Sequence, residues 1–236
     1  MIILERKQTF ENSKSVMREI LISQDIKEKL PELILGCIDC NVVISEENCE
    51  LWEEVEAVCG TIVNTDELAE VGSNPNIKAS RIAYRLCGKD PARYRLSSEA
   101  LRRRVVKGYQ LYRINNVVDL LNLVSLKSGM SIGGYDAEMI SGSITFGIGA
   151  KDEPYEAIGR GEFNIEFLPV FRDSISPFGS PTSDSVRTSV TSNTKRFLMI
   201  IIGFSGMIST METVDQSVKL LKKYASADNI EINFVR

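Results

Sequence analysis

The apolar positions of the 236-residue chain change rhythm several times, and each rhythm predicts an element. Residues 19–45 set two apolar stretches about a short charged helix. In the second, Leu33, Leu35, Cys37 and Ile38 run into Val42, Val43 and Ile44, as a buried strand does. From Glu46, Leu51, Val55, Val58 and Ile62 recur at helical spacing, and Trp52 and Cys59 widen that face. Asn74 and Pro75 open a second helix that runs to about Cys87, where GKDP stops it. Further helices are predicted at about 97–107, with Ser97 or Ser98 as cap and Glu99 in the first turn, and at about 115–129. Between 143 and 203 the pattern shortens to strands: SITFGI, EPYEAI, FNIEFLPVF and RFLMIIIG. A helix at about 210–226 carries Val214, Val218 and Leu221 on one stripe, and Ile230, Ile232 and Phe234 alternate in a closing strand. Together these predict an α+β fold, a mixed or antiparallel sheet core covered by helices, in one domain over 1–236.

Composition narrows the chemistry. The chain has no histidine, which excludes Ser-His-Asp, Cys-His and His-zinc sites. With 43% apolar residues it has material for a core without disulfide or metal staples. The five cysteines are odd in number, and the opening MIILERKQTF lacks the apolar core of an export signal, so a reducing cytoplasm is expected. The longest apolar run, Phe197–Phe204, has eight residues against the roughly 20 of a membrane span, and predicts a buried strand. No GxxxxGK[ST] is present, Gly159-Arg160-Gly161 lacks the third glycine of a dinucleotide fingerprint, and GFSGM at 203–207 misses the GxSxG spacing.

Four constellations stand out. Cys37 and Cys40 form a lone CxxC inside an apolar run, which fits buried thiols better than a metal or redox pair. Between Arg93 and Arg113 seven basic residues face one acid, Glu99, in a chain whose net charge is −4. Tyr94, Tyr109 and Tyr112 flank them. Basic side chains interleaved with aromatics suit phosphates and unstacked bases, and equally suit ion pairs with neighbouring elements. Asn115, Asp119 and Asn122 form a polar stripe on an otherwise apolar helix, so they either anchor a loop or line a cavity. Finally, 11 of the 21 residues from Ser174 to Thr194 are Ser or Thr. This predicts an ordered polar loop, whose Gly179–Thr194 part either builds turns or meets a ligand around Asp184 and Arg187.

The stretch Asn115, Asn116, Val117, Val118, Asp119, Asn122, Val124, Gly129 and Asp136, the strand from Gly142, and Val190-Thr191 to Thr194 resemble the tRNA-editing domain, modules three and four, of the phenylalanyl-tRNA synthetase beta subunit. SSEALRRRV and FGSPTSDSVRT are similar to its free-standing branch. The resemblance spans about 75–205, with a weaker α/β portion over 1–74 and a helix and strand over 207–236. It implies a domain that binds tRNA or its aminoacylated end and, in the synthetase, removes tyrosine wrongly attached to the phenylalanine tRNA. The family's editing histidine falls on Gly133, and its tyrosine-recognising glutamate falls near Val186, two residues from Asp184. There is no room for a synthetase core or its ATP site.

The resulting expectation is a cytoplasmic protein that binds tRNA or aminoacyl-tRNA and associates with a synthetase, without a membrane, metal or cofactor. Arg102, Arg103, Arg104 and Lys107 would hold phosphates. Asn115, Asp119, Asn122, Gly133, Gly134, Ser183, Asp184, Ser185, Arg187 and Thr188 would line the pocket, with Asp184 the candidate catalytic group in deacylation of a mischarged tRNA in trans. The alternative is a pocket protein for a free amino acid or nucleotide, with no RNA role; the overall acidity, with a pI near 5.2, favours it.

Overall fold

The computed structural model describes residues 17–236. The opening decapeptide that was read against export lies outside them. Ten strands and six helices follow in the order β1 (Ile20–Ile22), α1 (Gln24–Lys29), β2 (Ile34–Asn41), α2 (Cys49–Thr65), α3 (Pro75–Cys87), α4 (Ser97–Val106), α5 (Asn116–Ser128), β3 (Ile132–Asp136), β4 (Ile144–Ile148), β5 (Glu156–Ala157), β6 (Gly161–Glu162), β7 (Pro169–Arg172), β8 (Pro177–Gly179), β9 (Arg196–Gly203), α6 (Met207–Ala225) and β10 (Asp228–Val235). The α+β class is as expected. No helix among the described residues is long and apolar enough to cross a membrane.

One sheet, ordered β10-β2-β9-β3, is antiparallel throughout. Its central strands β2 and β9 are apolar on both faces because both faces are covered. Ile38, Cys40, Phe197, Met199 and Ile201 pack under α2, α5 and α6. Leu35, Cys37, Leu198, Ile200 and Ile202 meet Ile144, Phe146, Phe171 and Phe178 of a second sheet, ordered β1-β4-β7-β8. The layers therefore run helices, sheet, sheet. Strand β1 pairs parallel with β4, while the other pairs of that sheet are antiparallel. Cys37 and Cys40 face opposite sides of β2, so they cannot share a metal, and burial pushes both thiols up to about 12.

Local chemistry explains most boundaries. Asn74 caps α3 by accepting from the amides of Asn76 and Ile77, Pro75 fills the first helical position, and Gly88 ends the helix at φ 97°. Three expectations needed correction. EPYEAI and FNIEFLPVF shrink to β5 and β7, because Phe167 turns to φ 65° and interrupts the second run. The glycine-containing β3 and the short β8 carried too little apolar pattern to be read as strands. Neither Ser97 nor Ser98 caps α4: the N-cap is Leu96, and the Ser98 hydroxyl bonds that of Ser131 instead (3.2 Å).

Candidate functional site

The loop after β8 folds back against the outer edge of β3. There Asp184 accepts a hydrogen bond from the Tyr135 hydroxyl (2.9 Å) and further bonds from the Ser180 and Gly134 amides. Burial outweighs these donors and pushes the carboxyl up to about 7. Tyr135 is fully buried, and its ring packs edge-on against Phe178 with centroids 4.9 Å apart. A Cβ at Gly133 or Gly179 would overlap the Tyr135 hydroxyl, so both glycines exist to let that phenol reach the acid. Tyr155 donates to the Ser183 carbonyl (2.7 Å), the Ser180 hydroxyl to the same carbonyl (2.9 Å), and the Tyr84 hydroxyl pairs with that of Thr182 (2.8 Å). Gly133, Gly134, Ser183, Asp184 and Ser185 are thus brought together, with the buried Tyr135 phenol against the half-buried acid.

The stripe on α5 does not join them. Tyr135 belongs to the inter-sheet core, whereas α5 covers the other face of the same sheet. Asn115 caps α5 by accepting from the amides of Val117 and Val118. Asp119 accepts from the Trp52 indole N–H (2.8 Å) and the Ile114 amide (3.1 Å), and burial raises its pKa. Asn116 bonds the carbonyls of Val43 and Tyr224 and the amide of Ser45. These side chains anchor loops, one of the two readings the stripe allowed. Asn122 is half-buried on the same helix.

The arginine run is also divided by its partners. Arg102 pairs with Asp66 (2.6 Å), whose pKa it lowers through this hydrogen bond, and donates to the Leu126 carbonyl (2.8 Å). Arg103 pairs with Glu99 (2.8 Å), which is fully buried and also holds Arg81 (2.7 Å) and Arg95 (3.8 Å). Two of the four predicted phosphate contacts are therefore structural clamps. Arg104 instead lies over the Tyr112 ring (4.3 Å) and donates to the Gln110 carbonyl (2.7 Å), and Lys107 is exposed with no partner among the described residues. Tyr109 and Tyr112 are 61% and 69% exposed. Arg113 covers the Trp52 ring (4.5 Å) and pairs with Glu56 (3.0 Å).

Two openings adjoin these features. A groove of about 450 Å³ runs between α2 and the segment after α4. One wall is the α2 stripe Trp52, Val55, Glu56, Cys59, Gly60 and Val63, and the other is residues 108–111 with Val105 and Arg113. A larger, shallower cleft of about 1100 Å³ borders the 185–187 segment and is rimmed by Asp152, Glu153, Glu156 and Glu162 over Tyr155 and Phe163. Arg187 reaches it but is held by Asp173 (2.9 Å) and the Met139 carbonyl (3.0 Å). Among the described residues, the two buried side-chain polar atoms without a partner, Nε of Arg187 and Oγ1 of Thr188, belong to this loop. Among those residues no group of acids and thiols is placed to hold a metal ion. Trp52 and Gly60 had gone unnoticed as site residues. The available signal was a lone glycine within an amphipathic helix.

A family model described as the B3/4 domain matches residues 79–224. The chain belongs to the B3/4 domain family. The likeness expected over about 75–205 is thereby borne out, and the match runs on to residue 224 in α6. Among solved structures, this B3/4 chain is similar to an N-terminal fragment of the phenylalanyl-tRNA synthetase beta subunit from Pyrococcus horikoshii, at 11% identity and a TM-score of 0.46, covering 93% of this chain and 51% of that one. The chain thus spans about half the length of that fragment. Comparison with curated proteins gives no match. In this B3/4 domain the bare Cα of Gly133 leaves room for the Tyr135 hydroxyl, and Val186 lies exposed on the acidic cleft.

Proposed function

We propose that this B3/4 domain binds tRNA in the cytoplasm, gripping it by the surface from Arg104 to Arg113 rather than by the whole arginine run. The carrying observation is a pair of tyrosines, each more than 60% exposed, standing among Arg104, Lys107 and Arg113 beside the groove floored by Trp52. Arg104 lies over one face of Tyr112, and rings this exposed still offer a face for a base to stack on, while the cations beside them draw phosphates. The function is binding rather than ester hydrolysis at Asp184, since that carboxyl is already engaged by three donors of its own chain, the Tyr135 hydroxyl and the Ser180 and Gly134 amides. A synthetase partner follows from the family and is tested by co-purification. Titrating labelled tRNA into the domain should give a saturable complex that Tyr112→Ala weakens roughly tenfold, within the 1 to 3 kcal/mol of one base–aromatic stack. An unchanged affinity in Tyr109→Ala and Tyr112→Ala would remove this surface from the interface.

A second reading, a small-molecule binder without RNA, has the acidic cleft in its favour. Three of its rim acids, Asp152, Glu156 and Glu162, make no ion pair among the described residues, so it would repel phosphate and admit an amine. Thermal stabilisation by a free amino acid, with none by tRNA, would select it.

A further inference from the structure

We infer that the groove between α2 and residues 108–111 is a receptor for a single planar aromatic ring of the nucleobase type, admitted over Gly60. Helix α2 places Trp52, Val55, Glu56, Cys59, Gly60 and Val63 on one face at spacings of three and four residues, and that face is the groove wall. A glycine inside a helix weakens it, and close packing usually explains why one is kept. Gly60 has no such reason: a Cβ there meets nothing within 4 Å. What its bareness does is leave the groove wall open at that point. The cavity, about 450 Å³, lies within the ~300–1,000 Å³ range of small-ligand pockets.

The chemistry of the walls matches a base. Val55 and Val105 offer apolar flanks, the exposed Tyr109 ring stands at the mouth, and the Gln110 carboxamide, free of partners among the described residues, can both donate and accept along a base edge. Charge gives the direction. Beyond Trp52 the groove meets Glu46 and Glu47, which repel phosphate, whereas Lys107 and Arg104 stand at the Tyr109 end. A nucleotide with its ring over Gly60 therefore carries its phosphate toward Lys107. The source of the ring, an unpaired residue of RNA, rests on the RNA-binding reading above; a free nucleotide would offer the same chemistry.

Trp52 is the only tryptophan in the chain and lines the groove, so its fluorescence reports occupancy. The test titrates oligoadenylate, an abasic ribose-phosphate chain of equal length, and AMP into the wild-type domain, Gly60→Leu and Gly60→Ala. Expected are a saturable Trp52 response and roughly tenfold tighter binding of oligoadenylate than of the abasic chain. Gly60→Leu should fill the groove, abolish the response and lower the affinity for oligoadenylate, leaving only the preference over the abasic chain that stacking on Tyr112 supplies. Gly60→Ala, which narrows the wall by one methyl group, should weaken the response part-way. Leucine and alanine both favour helix, so both variants should melt no lower than wild type. Equal affinity of wild type for the two polymers, or an undiminished response in Gly60→Leu, overturns the ring receptor while leaving RNA binding intact. A response to AMP alone, lost in Gly60→Leu, upholds the receptor and refutes the RNA source; silence from all three probes overturns both.

Discussion

Asp184 should make this domain lose stability as pH rises toward neutrality, and Asp184→Asn should abolish that loss. Burial moves the carboxyl from 3.8 up to about 7, so the folded protein holds a proton there that the unfolded chain releases. A folded-state pKa above the unfolded one gives stability that is complete below about pH 4 and is lost as pH climbs through about 7. At about 1.4 kcal/mol per tenfold change in proton affinity the full effect is roughly 4 kcal/mol, of which about 2 should be lost between pH 5 and 7. The chain has no histidine to titrate in that interval, the carboxyls held below their ordinary value, such as Asp66 and Glu153, titrate under it, and the comparison with Asp184→Asn cancels the other buried acids that are pushed up, Asp39 and Asp119. Asparagine copies the uncharged acid and can still accept from Tyr135. Urea unfolding at pH 5, 6, 7 and 8 should therefore show the wild type losing stability relative to Asp184→Asn and then levelling. Curves that stay parallel across this range would mean that Asp184 is ionised in the fold and that the Tyr135 contact is an ordinary surface bond.

The other consequences concern clamps and thiols. Arg102→Ala should cost about 1 to 3 kcal/mol in urea unfolding, since it strands Asp66 and frees the Leu126 carbonyl, while leaving RNA affinity unchanged. Glu99→Gln removes the shared partner of Arg81, Arg95 and Arg103 and should cost about 2 to 3 kcal/mol; a loss below 0.5 would show that these arginines rehydrate freely. Iodoacetamide at pH 8 should label the exposed Cys49 first and reach Cys37 and Cys40 only on unfolding, read by peptide mass spectrometry.

Long elements were legible because burial on one or both faces writes a periodic signal. The stripe Leu51, Val55 and Ile62 gave α2, and the unbroken Phe197–Ile202 run gave β9, covered on both faces. Short strands write almost none: β3 carries two glycines because Gly133 clears the Tyr135 hydroxyl and Gly134 clears Leu121 and Phe197, demands made by tertiary contacts and invisible locally. The same limit governs the site. The basic and aromatic run from 93 to 113 was visible as composition, but Asp66 and Glu99 decide which arginines are free, and they lie 36 and 4 residues from Arg102 and Arg103. Asn115 and Asp119 carried a sound physical demand for partners; the partners proved to be the chain's own amides and Trp52.

The decisive measurement is tRNA affinity as a function of salt for the wild type and for Arg104→Ala/Lys107→Ala. With Arg104 and Lys107 as the cations that no acid holds, and each single-stranded phosphate contact contributing about 0.7 to the slope, log Kd should rise with log salt with a slope of about 1.4. The double variant should bring that slope below 1, with the melting temperature unchanged. Binding indifferent to salt, or no complex even at low ionic strength, would contradict an RNA-gripping surface between Arg104 and Arg113.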